Sequence, residues 1–237
     1  MSNHAVIGMG EVGGAVYGAL TKLYNVQTLD INKEKLREPI DVIHICIPYS
    51  DKFVDIVKKY QRKFKPSLTI VYSTVPVGTC KKLGKTTVHS PIEGKHPKLV
   101  RSVEIFKRWI GYNDMEAGKQ AEKIWSHIVE CHLVNSSDFT EFLKLASTTE
   151  YGVNLAFADY KRKVAESLGM AYELTMDWNK DYNALYRRLM PGYYIRKFVL
   201  QSPEGRIGGH CVVPNAKLLN EQFPDELLGK VIEMEIK

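Results

Sequence analysis

The residue around which covalent chemistry could be built is a single cysteine set among glycines. In Gly205-Arg206-Ile207-Gly208-Gly209-His210-Cys211-Val212-Val213-Pro214-Asn215 the glycines add no side chains, so backbone and ligand can come close to one thiol. As a thiolate Cys211 would be a nucleophile. The same pattern also describes a loop beside a buried, inert thiol, and the stretch alone leaves both readings open.

A second group of residues suits a phosphate-bearing ligand. His4-Ala5-Val6-Ile7 reads as a short strand that runs into Gly8-Met9-Gly10-Glu11-Val12-Gly13-Gly14, after which Ala15 to Leu20 has helical character. Gly8 allows the tight turn, Gly10 lets a pyrophosphate approach the backbone and the helix N-terminus, and Gly13 permits close helix–strand packing. A second strand, Val26 to Leu29, ends in Asp30, at the offset where a carboxylate accepts from ribose hydroxyls and repels a 2′-phosphate. The expected cofactor is therefore NAD rather than NADP, held by Gly8, Gly10, Glu11, Val12, Gly13, Asp30 and Thr74.

These groups need a scaffold, and the order of elements supplies one. Asp41 to Ile47 is an apolar run ending at Pro48, as expected of a central parallel strand, which makes His44 and Cys46 core residues. A basic helix over 51–64, a strand over 68–72 and the loop Ser73-Thr74-Val75-Pro76-Val77-Gly78-Thr79 follow. Thr86 to His89 is the next strand, closed by Ser90-Pro91-Ile92-Glu93-Gly94-Lys95. Strands over 106–111 and 130–134 flank a helix over 114–127. The alternation describes an α/β protein with a doubly wound sheet, whose ligands sit beyond the strand carboxyl ends.

After a polar break at 135–138, Asp138 and Glu141 have the spacing of an N-cap and its return partner. No proline interrupts 138–169. Phe142, Ala146, Val153, Phe157, Tyr160, Val164 and Leu168 fall mostly on one stripe, which predicts a helix of about 30 residues, roughly 45 Å long. Such a helix outruns a small domain and suits pairing into a homodimer. Lys144, Thr148 and Tyr151 share a neighbouring face. Tyr172, Trp178, Tyr182, Tyr186, Tyr193 and Tyr194 belong to core or interface in the two helices expected next. The expected domains are 1–134, which binds the dinucleotide, and 135–237, a helical dimerisation segment carrying the cysteine loop.

Composition narrows the class. Cys46, Cys80, Cys131 and Cys211 are far apart and show neither zinc spacing nor a disulfide framework, so no metal is expected. The net charge of +6 sits largely on helix faces such as Lys58, Lys59, Arg62 and Lys63, which read as solvated surfaces rather than a nucleic-acid stripe. A mild positive field still favours anionic, phosphorylated ligands. No apolar run approaches the roughly 20 residues of a membrane span, and no leader is evident, so a cytoplasmic protein is expected.

Five segments in order now resemble the UDP-glucose/GDP-mannose 6-dehydrogenase family. They are the glycine turn, Ser73 to Thr79, Ser90-Pro91 with Glu93-Gly94, Lys144-Leu145-Ala146-Ser147, and Gly208-Gly209-His210-Cys211. The last resembles the branch that oxidises N-acetylated hexosamine nucleotides. The resemblance implies a Rossmann-type domain, a nucleotide-sugar substrate, and oxidation of a sugar C6 alcohol through a cysteine thiohemiacetal and thioester. It implies that Cys211 is the nucleophile, Lys144 the oxyanion stabiliser, Thr74 a residue that positions water, and Glu93 the carboxylate of hydrolysis.

Three departures bear on that reading. Asn215 stands where the family has an aspartate, and an amide can hold a water but not accept its proton. Thr148 stands where the family has an asparagine. The family also continues into a further nucleotide-sugar-binding domain, so the resemblance is to a truncated form, with a separate chain as one source of the missing domain. Two rivals remain: a non-catalytic NAD-binding remnant or regulatory subunit, and a β-hydroxyacid dehydrogenase. The second would use K-x-x-N, where this sequence has Ser147.

Overall fold

The computed structural model describes the chain apart from residues 1, 31–35, 38, 95–98, 191, 193–196, 209–210 and 236–237. Lys95, Tyr193, Tyr194, Gly209 and His210 thus lie outside the described residues. The chain divides into two compact units, Met1–Lys144 and Leu145–Lys237.

In the first unit the elements run β1 (Asn3–Ile7), α1 (Glu11–Leu20), β2 (Asn25–Leu29), β3 (Val42–Ile45), α2 (Phe53–Phe64), β4 (Leu68–Val71), α3 (Thr79–Leu83), β5 (Thr87–His89), α4 (Leu99–Ile105), β6 (Arg108–Tyr112), α5 (Met115–Trp125) and β7 (Cys131–Val134). They form a seven-stranded sheet in the order β2-β1-β3-β4-β5-β6-β7. Every pairing is parallel except β5 with β6. This is a Rossmann-type, doubly wound α/β fold, and the antiparallel step extends it on one side. The short helices α3 and α4 are additions to the sequence-based expectation.

Strand alternation explains why the sheet is covered on both faces. Val6, Val42, Leu68 and Ile70 enter one core with Val16, Leu20 and Trp125. Their neighbours Ala5, Ile7, Ile43, Ile45 and Val71 enter another with Phe53, Val57 and Phe64. β3 and β4 are buried at every position, which accounts for their mostly apolar sequence, interrupted only by His44 and Thr69.

A polar thread runs through this apolar interior. Trp125 Nε1 donates to the Tyr72 hydroxyl at 2.9 Å, and the hydroxyl lies 2.9 Å from His44 Nδ1. His44 Nε2 is 2.9 Å from His4 Nδ1, and His4 Nε2 is 2.8 Å from the Ser2 hydroxyl. Desolvation holds His4 down at about 4 against the opposing pull of Asp41. Burial, then His4, holds His44 well below the ordinary imidazole range. Both rings are thus neutral, hydrogen-bonded core residues, which is how a polar side chain is tolerated inside.

Helix α6 (Ser137–Ser167, 31 residues) spans the division between the units. Its first turn packs against β6 at Gly111, where a Cβ would lie 2.1 Å from Thr140 Oγ1 and 2.7 Å from the Ser136 carbonyl. The capping expectation for this turn is corrected by the structure. Ser136 Oγ accepts from the Phe139 N–H at 3.2 Å, Asp138 pairs with Lys81, and Glu141 points to another loop.

In the second unit follow α7 (Glu173–Leu189), α8 (Val212–Gln222) and α9 (Glu226–Glu233). Val212, Val213, Ala216 and Val231 make its core with Ile207. Gly152 lets α8 and α9 come close to α6, since a Cβ there would meet Val212 and Val231 at 2.6 Å. Asp159, 2% exposed, is met by Arg162, Lys163 and Ser202. No helix among the described residues is long and apolar enough to cross a membrane.

Candidate functional site

The residues expected to hold a dinucleotide meet at the carboxyl edge of the sheet. β1 lies between β2 and β3, so the chain reverses its direction of winding there and leaves a crevice beyond the strand ends. Gly8 has φ +92° and donates to the Leu29 carbonyl at 2.8 Å. That bond sets the glycine turn beside Asp30, the exposed residue that follows β2. A Cβ on Gly8 would lie 2.8 Å from the Cys46 carbonyl, and one on Gly13 only 1.7 Å from the Gly8 carbonyl. Both positions are closed to any side chain.

Gly10 is different. Nothing lies within 4 Å of where its Cβ would be, and as the N-cap of α1 it brings no side-chain cap to the helix. An open approach to uncapped helix N–H groups is the geometry that receives a phosphate anion. Glu11 is exposed in the first turn of α1, and Val12 packs half-buried against the core. The residues present fit a dinucleotide with a free ribose 2′-hydroxyl.

Thr74 follows β4 and Glu93 follows β5, two parallel neighbours, so both loops leave the same edge. Ser73 Oγ donates to the Ile47 carbonyl at 2.6 Å, and Val75 is fully buried, so half-buried Thr74 stands between two fixed residues. His89 bridges Thr140 Oγ1 at 3.0 Å and the Ser73 carbonyl at 3.2 Å. Burial holds its ring at about 3, with the Ser73 bond opposing and Lys144 assisting. Lys144 Nζ donates to the Ile92 carbonyl at 2.8 Å, next to exposed Glu93. Behind that loop the buried Arg108 donates to the Pro91 and Val103 carbonyls and lies over the Trp125 ring.

One residue of this group was not foreseen. Glu141 is fully buried, and its two oxygens accept from the N–H groups of Gly78 at 2.6 Å and Cys80 at 2.7 Å. Desolvation raises its carboxyl to about 7, with the bonds from Cys80 and Gly78 opposing and Asp138 adding to the rise. Its spacing from Asp138 mimics a local capping pattern, and the sequence carries no signal of a partner sixty residues upstream.

In the second unit Cys211 is the half-buried N-cap of α8, and the Asn215 N–H donates to its carbonyl at 3.1 Å. Asn215 is buried on that helix's first turn. Val212, next to the thiol, packs on Gly152 of α6, one turn beyond half-buried Thr148. Glycine at 152 is what admits the cysteine segment to this helix.

Comparison with known proteins agrees with this architecture. No family model matches the chain. Over 84% of its length it is 26% identical to UDP-N-acetyl-D-mannosamine dehydrogenase of Methanocaldococcus jannaschii, and it spans about half (53%) of that protein. The structure of UDP-D-ManNAc dehydrogenase from Pyrococcus horikoshii superposes with a TM-score of 0.80 at 18% identity, covering 98% of this chain and 68% of that one. The 3-hydroxyisobutyrate dehydrogenase of Mycobacterium tuberculosis superposes with a TM-score of 0.71 at 14% identity, covering 98% of this chain and 92% of that one. UDP-sugar dehydrogenases are thus found both by sequence and among the fold neighbours.

Proposed function

We propose that this chain is an NAD-dependent oxidoreductase of the nucleotide-sugar dehydrogenase type, acting on a sugar C6 alcohol. The observation that carries the reading is the glycine turn. Gly8 and Gly13 are closed by backbone, Gly10 faces open space at an uncapped helix start, and Asp30 stands beside them. The sequence likeness to a UDP-N-acetyl-D-mannosamine dehydrogenase directs the substrate choice. When bound, NAD supplies the hydride acceptor for both oxidations.

The chain's own residues then take the roles that the resemblance gives them. The Cys211 thiolate adds to the C6 aldehyde, the thiohemiacetal is oxidised to a thioester, and water releases the acid and frees the thiol. Lys144 offers a fixed cation for the developing oxyanion. Thr74 orients water and Glu93 accepts its proton. Asn215 holds the water without taking its proton, and Thr148 serves as a shorter hydrogen-bonding partner. With one carboxylate lost to Asn215, hydrolysis becomes the slow step, since a general base contributes about 10²–10⁴-fold.

The test is purified protein with NAD and a panel of nucleotide-sugars and C6 aldehydes, followed by NADH absorbance and intact mass. From a C6 aldehyde, an NADH burst of about one equivalent per site with an adduct on Cys211, lost in Cys211→Ser and drained faster in Asn215→Asp, supports the reading. NAD binding without any turnover would replace it with a non-catalytic subunit. A second reading, a β-hydroxyacid dehydrogenase, is favoured by the 92% coverage of the 3-hydroxyisobutyrate enzyme. NADH formed from a 3-hydroxy acid, unaffected by Cys211→Ser, would select it.

The assembly proposed is a homodimer paired through α6 and α7. Tyr160, Leu168 and Trp178, exposed by 60%, 72% and 70%, border an apolar cavity of about 470 Å³ within the second unit. An apolar surface of this kind favours association. Light scattering at micromolar concentration checks it, and a monodisperse monomer would count against it.

A further inference from the structure

We infer that Glu141 is a positioning residue, a buried carboxylate clasp that sets the loop carrying Thr74 and thereby couples the dinucleotide edge to proton concentration. This deepens the cofactor reading above and rests on it only for its second experiment.

The argument begins with the loop. From Ser73 to Cys80 the chain turns sharply: Pro76 accepts from the Thr79 N–H at 3.2 Å and the Thr79 hydroxyl at 2.6 Å, and Gly78 has φ +89°. Its upstream end is fixed at Ser73 by the Ile47 carbonyl and His89. The downstream end has no strand to hold it. There the N–H groups of Gly78 and Cys80 converge on the two oxygens of Glu141.

Glu141 can hold them because its own helix is anchored. Gly111 admits the first turn of α6 onto β6, and Asn113 donates to the Ser137 hydroxyl at 2.7 Å. Three residues on, Lys144 of the same helix reaches the Ile92 carbonyl in the loop after β5. One helix start therefore ties the loops bearing Thr74 and Glu93, with Glu141 on the first and Lys144 on the second.

The clasp depends on charge. An ionised carboxylate accepts with both oxygens, whereas the protonated form keeps one good acceptor and turns the other into a donor facing an N–H. The ionisable groups around it are the Cys80 thiol and Asp138, which both face it, Lys81, which pairs with Asp138, and His89, bonded to Thr140 on the preceding residue. Lys81 is taken by Asp138 and His89 is neutral, and the Glu141 carboxyl sits near neutrality at about 7.

Site-resolved amide exchange of the full chain tests the clasp without any ligand. A local opening that frees the loop while Glu141 stays buried forfeits the two bonds that favour its ionised form, so protection at Gly78 and Cys80 is expected to rise about tenfold between about pH 5.5 and about pH 8.5, while amides in β4 stay level. Glu141→Gln, which keeps one acceptor as the protonated acid does, should hold protection at the wild type's low-pH level at every pH and so remove the step. Protection that is flat with pH in the wild-type chain would overturn the inference, even if the variant fails to fold. Calorimetry with NAD then reads the coupling: affinity should weaken about tenfold below pH 7 and in Glu141→Gln. Equal affinity across pH and in the variant would overturn the positioning of Thr74. Absence of NAD binding at every pH would instead defeat the cofactor reading, and exchange would still decide the clasp.

Discussion

The two ends of α6 each bury an acid, and the two acids answer to opposite physics. Glu141, in the sheet unit, is surrounded by backbone N–H groups and a thiol, and desolvation leaves its carboxyl raised to about 7. Asp159, in the helical unit, is desolvated too, but hydrogen bonds from Lys163 and Arg162 outweigh that and hold it below the usual carboxylate range. The contrast extends to the units around them. The sheet unit keeps His4, His44 and His89 neutral in its interior, while the helical unit offers counter-ions. Burial alone does not set the charge of a group; the partner buried with it does.

Acid should break the symmetry most strongly. Below about pH 6.5 the unfolded chain binds protons that neutral His4 refuses until about 4, so the stability it confers above 6.5 is lost as pH falls. His4 alone is worth about 3 kcal/mol, and His44 and His89 add in the same direction. Hydrogen-exchange mass spectrometry should show the sheet unit opening near pH 5 while α8 and α9 stay protected. Simultaneous opening would show that the histidines do not govern the first unit.

Glu141 runs the other way and sharpens the contrast. Its raised carboxyl favours the fold most below about pH 4.5, and that contribution, about 3 kcal/mol, is lost as pH rises through about 7. Denaturant titrations of wild type and Glu141→Gln should therefore converge at low pH and separate above 7, with the variant gaining relative to the wild type. Parallel curves would mean that Glu141 carries the same charge in both states.

Asp159→Asn should cost less, about 1–2 kcal/mol, because half of its pairing is to the exposed Lys163. The loss should be full at neutral pH, fade as acid protonates Asp159 below the usual carboxylate range, and be confined to the helical unit. At the bottom of the scale, Lys180→Ala removes an exposed pair with Asp177 and should change the midpoint by no more than about 0.5 kcal/mol.

What could be read from the sequence was what neighbours in the chain decide. The glycine turn, the strands and the 31-residue helix follow from patterns within one or two turns of chain, and the structure has them. The capping pattern of Asp138 and Glu141 is also local, yet Ser136 takes the cap and a loop between β4 and α3 takes the glutamate. His44 reads correctly as a core residue from its apolar run, but its partners stand on β1 and after β4, where spacing carries no information. Likewise Gly111 and Gly152 look like ordinary glycines until α6 and α8 arrive against them. Cys211 and Asn215 were legible as a motif, and the structure adds that they share the first turn of α8.

The thread from Trp125 to Ser2 has a consequence for proton placement. An indole nitrogen can only donate, so the Tyr72 oxygen accepts from Trp125 and must pass its own hydrogen to His44 Nδ1. His44 is then the Nε2–H tautomer and donates to His4 Nδ1, and His4 in turn carries its hydrogen on Nε2, toward Ser2. One tryptophan on α5 thus fixes the tautomeric state of two imidazoles on two strands and gives the whole relay a single polarity. Trp125→Phe would release that constraint at its source, and nitrogen chemical shifts of both rings would report the loss of a unique tautomer at the far end of the sheet.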